Sequence, residues 1–171
     1  MFDNMHKKPE TNLGTRRDRL MHEHIHDPYK TPHKLPEPTI CPECGAVFHE
    51  GRWQWMTLAP KGAHKSACQA CHRTRDNYPA GVITLSGTYV QLHRDELLNM
   101  VRNREAAEKQ AHPLHRIMSI EEHPDSLVIK TTDIHLPHNI AEALRHAHQG
   151  DLKIQYDEEG YFARIDWRRE S

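Results

Sequence analysis

Two features of the chain predict an α+β fold in two parts. All four cysteines lie between Cys41 and Cys71 as two C-x-x-C pairs, Cys41/Cys44 and Cys68/Cys71. The residues after them alternate between helical and strand periodicity in the order α-β-β-α-β-β. The first feature predicts a four-cysteine zinc ribbon, and the second a two-layer domain with an antiparallel sheet. The expected organisation is a flexible polar and basic arm over 1–39, the ribbon over 40–80 and the α+β domain over 81–171.

The arm comes first. Pro9, Pro28, Pro32, Pro36 and Pro38 interrupt it, and no apolar period is sustained beyond a short turn around Arg17 to Ile25, so it cannot bury enough surface to fold alone. Arg16, Arg17 and Arg19, with Lys7, Lys8, Lys30 and Lys34, are cations suited to a phosphate backbone. The residues Met1 to Lys8 lack the apolar core of a signal peptide, and a cytoplasmic location is expected. No apolar run approaches the roughly 20 residues of a membrane helix.

The composition narrows the function classes. A net charge of -1 excludes the bulk polycation signature of a nucleic-acid coating protein, so any such contact must be local. A hydrophobic share of 36% implies a thin core that a metal would help to hold. Sixteen histidines, clustered as His22, His24 and His26 and again as His146 and His148, read as solvated positions that gain charge in mild acid. The His-x-His-x-His run is also a weak metal-binding pattern.

In the ribbon, each C-x-x-C turns two thiolates toward one ion from a tight knuckle, and two knuckles complete a tetrahedral Zn2+. The insert between the pairs carries turn formers and suits a hairpin. Two disulfides would need an oxidising compartment, a thioredoxin-like pair would follow a strand in a βαβ unit, and a catalytic zinc would need an open position. None fits as well as a closed four-thiolate site, although His49, His64 and His72 stand near enough to replace a cysteine. Around the pairs, Arg52, Trp53, Trp55, Lys61, Lys65, Arg73 and Arg75 combine guanidinium, ammonium and aromatic groups in the way unpaired RNA is bound. At least one tryptophan is expected to cap the small ribbon core instead.

Beyond a turn at Tyr78 to Gly81 and a short extended piece from Val82 to Gly87, a helix is expected from His93 to Gln110, with Leu97, Leu98 and Val101 on one stripe and Pro113 as its stop. Ile117 to Glu122 and Ser126 to Thr131 read as a hairpin, and Leu136 to His148 as a helix closed by Gly150. A last hairpin runs from Leu152 to Trp167 around Asp157 to Gly160. Four strands with both helices on one face follow from these stripes.

The stretch CPECGAVFHEGRWQW, the stretch CQACHRTRDNYPAGVITLSG and the run from His112 to Arg169 resemble a family of short bacterial C-x-x-C zinc-ribbon proteins. More distantly, they are similar to the amino-terminal half of the nonsense-mediated-decay-three family, an adaptor of the large ribosomal subunit. The matching positions are Thr132, His135, Leu136, Gly150 and Tyr156, within a resemblance covering roughly Cys41 to Arg168. The larger family carries more cysteine pairs and further domains, so the resemblance implies a reduced ribosomal footprint and no export role. It implies a ribosome-associated, rRNA-binding factor, on the large subunit, acting in assembly, recycling or hibernation.

The sequence holds no phosphate loop, H-E-x-x-H pair or nucleophile elbow, and Glu121, Glu122 and Asp157 to Glu159 sit at strand ends or turns, so no enzyme, small-molecule substrate or membrane partner is expected. The alternative function is a zinc-ribbon adaptor in transcription or protein–protein contacts, which the near-zero net charge favours.

Overall fold

The computed structural model describes residues 28–30 and 33–171. Arg16, Arg17, Arg19 and the His22 to His26 run therefore lie outside the described residues. The cysteine-bearing part is built on short strands: β1 (Thr39–Ile40), β2 (Val47–His49), β3 (Arg52–Gln54) and β4 (His64–Lys65). They form one sheet in the order β3-β2-β1-β4, with β1 antiparallel to β2 and parallel to β4. The β2–β3 hairpin turns through Glu50 and Gly51, both at positive φ (52° and 77°), the geometry of a two-residue type I′ turn. Helix α1 (Gln69–Asp76) completes the unit and ends at Asn77 in the left-handed region.

The remaining elements are β5 (Gly81–Ser86), α2 (Thr88–Leu92), α3 (Arg94–Ala111), β6 (Ile117–His123), β7 (Ser126–Thr131), α4 (His135–His148), β8 (Asp151–Tyr156) and β9 (Ala163–Arg168). Both expected hairpins form, β6 with β7 and β8 with β9. The sheet differs from the expected four antiparallel strands. It has five strands in the order β6-β7-β5-β9-β8 and is mixed, because β5 pairs antiparallel with β7 and parallel with β9. The extended piece after the turn is thus the central strand. Its alternate residues Ile83 and Leu85 are fully buried, and the long return from β5 to β9 through three helices, the β6–β7 hairpin and β8 supplies the crossover that a parallel pair needs.

One sheet face carries the core. Ile83, Leu85, Leu127, Ile129, Ile165 and Trp167 meet Leu97 and Val101 of α3 and Leu136, Ile140 and Leu144 of α4 in one buried cluster. Burying each large apolar side chain contributes about 1.5 to 3 kcal/mol, so this single layer of contacts dominates the stability of the domain. On the opposite face Arg164, Asp166 and Arg168 are exposed, which makes the domain two-layered. Among the described residues no helix is long and apolar enough to cross a membrane.

The two parts are fastened together. The Trp55 indole donates to the Lys109 carbonyl at 2.8 Å, and Leu114, just after α3, packs against the cysteine cluster.

Candidate metal centre

The first pair sits in a knuckle. Gly45 N–H donates to the Cys41 carbonyl at 2.9 Å and Cys41 N–H to the Ala46 carbonyl at 2.8 Å, which folds Cys41 and Cys44 to one side. The second pair departs from the expected second knuckle. Cys68 is the N-cap of α1 and its sulfur accepts from Cys71 N–H at 3.4 Å, so these ligands are presented by a helix start. There the unpaired amides and the positive end of the helix dipole favour thiolates. Cys68 N–H donates to the Cys41 sulfur at 3.3 Å, joining the two halves.

All four sulfurs lie within 4.8 Å of one another, with Cys41–Cys71 and Cys44–Cys68 separations of 3.8 Å. A disulfide bond is about 2.05 Å long, so the cysteines are unbridged. A tetrahedron of metal–thiolate bonds of about 2.3 Å has an edge of about 3.8 Å, and the two measured separations match it. The cluster can therefore hold a four-coordinate metal ion. Among the described residues it contains only cysteines: half-buried His49 and exposed His64 and His72 stand outside it.

Arg116, on the threshold of β6, was not singled out by sequence reasoning. Its guanidinium donates to the Cys44 and Cys68 sulfurs at 3.2 Å and to Cys71 at 3.5 Å. The same side chain donates to the Pro113 carbonyl at 2.7 Å, while its backbone is tied to Thr132 by two hydrogen bonds of 3.0 and 2.9 Å. Burial works against its charge, but the neighbouring thiolates outweigh it and raise its pKa. The sulfurs respond in turn. Cys44 is drawn down to about 4, chiefly by the hydrogen bond from Cys68, against burial and with help from the Ala46 amide and Arg116. Cys68 rises because it donates to Cys44 and is buried, and burial pushes Cys71 up to about 11. Even beside Arg116, a thiolate at Cys44 is thus matched by retained protons on its neighbours Cys68 and Cys71. A metal ion resolves this by displacing them.

The predicted RNA-contacting residues scatter. Arg52 and Lys65 are exposed on opposite edge strands of the small sheet, and Lys61 is exposed between them in sequence. Arg75 is ion-paired with Glu43. Arg73 departs from the expected exposed cation: it is only 3% exposed, its guanidinium lies 4.5 Å from the Tyr29 ring centre, and it donates to the Tyr78 carbonyl at 3.1 Å. The two tryptophans part company, since β3 ends at Gln54 and only Trp53 lies within it. Trp55 is 38% exposed and serves the joint with α3, whereas half-buried Trp53 meets Phe48 edge-on and packs against the cysteine cluster.

What the structure does assemble is a groove of about 670 Å³ between the segment before β1 and the cysteine-bearing unit. Tyr29, Phe48 and Trp53 line it beside Lys30, His33, Lys34 and His72. Of these, the lysines and tryptophan were visible as candidates in sequence, but nothing local could bring them to one groove.

No family model, curated protein or solved structure matches the chain.

Proposed function

We propose that this protein is a zinc-stabilised, ribosome-associated factor that binds an unpaired stretch of rRNA, with the large subunit as its target. The observation that carries the RNA reading is the groove beside the thiolate cluster, where three aromatic rings and two lysines meet in a volume that accommodates one or two bases. The ribosome enters through the resemblance of Cys41 to Arg168 to the large-subunit adaptor family. Zinc fits the role because an all-thiolate tetrahedral set favours it and leaves no open position.

The test has two stages. Sedimentation of a lysate through a sucrose gradient should place the protein with the large subunit, released by high salt; a protein that stays at the top of the gradient overturns the ribosomal target. With single-stranded RNA, a Lys30→Ala, Lys34→Ala double variant should flatten the dependence of log affinity on log salt by about 0.7 per lysine lost. Trp53→Leu, which preserves apolar packing on the cysteines but removes the ring, should weaken binding about tenfold with metal content unchanged. Equal affinities across these variants would move recognition off the groove.

A second reading, a zinc-bearing adaptor for another protein, draws on one observation: the 55–58 loop exposes Trp55, Met56 and Leu58, the last at 82%. Salt-insensitive association that is lost on Leu58→Asp would favour it.

A further inference from the structure

Beyond the thiolates, the junction between α3 and β6 holds a second set of donors. Glu108, His112 and His115 each bring one ligand atom within 4.8 Å of the other two. We propose that these side chains form a second metal site, open to an exchangeable ligand, for a divalent ion such as Zn2+ or Co2+.

The backbone arranges the trio. Glu108 and His112 are one helical turn apart at the end of α3, and His112 N–H closes that turn on the Glu108 carbonyl at 2.8 Å. Pro113 then stops the helix and the chain doubles back, His115 N–H donating to the His112 carbonyl at 3.0 Å. Partners orient the ligands as metal sites require. His115 Nδ1 lies 2.9 Å from Glu108 Oε1, and its other nitrogen lies 3.4 Å from Asp133 Oδ2, the carboxylate–histidine arrangement that fixes a ligating ring. Asn139 donates to the second Glu108 oxygen at 2.9 Å. Asp133 adds an unspent acceptor, its Oδ1 being buried with no hydrogen-bond partner among the described residues.

Two imidazoles and one carboxylate make up the three-ligand set that leaves a position for water or an external ligand. Bonds of about 2.0 to 2.1 Å give a tetrahedral donor–donor edge of about 3.3 Å, so a gap of at most 4.8 Å must close by up to about 1.5 Å. His112 can supply that movement, since it is exposed and its ring stacks on that of His115 with centres 4.6 Å apart. The competing arrangement, a charged His115 bridging two carboxylates, needs no ion and is what the experiment separates.

The full chain, isolated with its thiolate site loaded and dialysed against a weak chelator, is titrated with Co2+. One further equivalent should bind and give visible d–d bands without added thiolate-to-cobalt charge transfer. Glu108→Gln and His112→Ala should each abolish that equivalent while the thiolate-bound ion stays. Asp133→Asn, which keeps a side-chain oxygen to accept from the His135 and Leu136 N–H groups at the start of α4, should weaken it about tenfold or more. Failure of the wild-type chain to take a second equivalent would overturn the site. So would a second equivalent that survives Glu108→Gln and His112→Ala, or one that vanishes when His22, His24 and His26 are replaced by Gln.

Discussion

Four thiolates around a divalent ion leave two negative charges, and the Arg116 guanidinium offsets one of them at 3.2 to 3.5 Å. Replacing it by alanine leaves the centre half-buried and undercompensated, so Arg116→Ala should lose metal to a competing chelator about 10- to 100-fold more readily. Arg116→Lys should fall between, because an ammonium restores charge without the planar fork that spans three sulfurs. Identical chelator competition for all three proteins would show that the hydrogen bonds are incidental. The cysteines were legible because their spacing is local chemistry. Arg116 was not, lying 45 residues from Cys71 with no periodicity to link them. Arg73 was misplaced for a related reason: a cation among cations in sequence, it shares the buried side of α1 with Ala70 and Cys71 and finds an aromatic ring and a carbonyl there.

At the scale of elements, hairpins and long helices were readable because each declares its own period, whereas β5 could not be assigned a place by its residues alone. Six residues between a turn and a helix reveal a strand, but its central position depends on β7 and β9, which arrive much later. The second cysteine pair shows the same limit, since C-x-x-C serves a knuckle and a helix N-cap equally well. The link from α4 to β8 is more specific. Gly150 has φ of 88°, and a Cβ there would meet the Trp167 ring at 2.8 Å, while that indole donates to the Gln149 carbonyl at 2.6 Å. Gly150→Ala should therefore destabilise the chain by about 2 to 4 kcal/mol, combining backbone strain with overpacking of a fully buried tryptophan. Chemical denaturation measures it, and a change below about 0.5 kcal/mol would contradict the packing argument.

For the whole molecule, the thiolate centre is also a hinge pin. Arg116 and Leu114 reach it from the α+β part and Trp55 reaches back to Lys109, so metal loss should loosen the union of the two parts as well as the small unit. Chelation, or Cys44→Ser, should speed amide exchange in β1 to β4 and α1 and expose Trp55, while the five-stranded sheet keeps its protection. Simultaneous loss of protection throughout would mean that the parts fold as one unit.

The placement of the three tryptophans gives this architecture a built-in optical map. Trp53 stands at the thiolate cluster, Trp55 at the joint and Trp167 in the core of the large sheet. Retaining one at a time, with phenylalanine at the other two positions, yields three chains whose fluorescence reports metal release, separation of the parts and global unfolding independently. The order in which those signals change on heating would show whether the joint opens before the metal leaves or because of it.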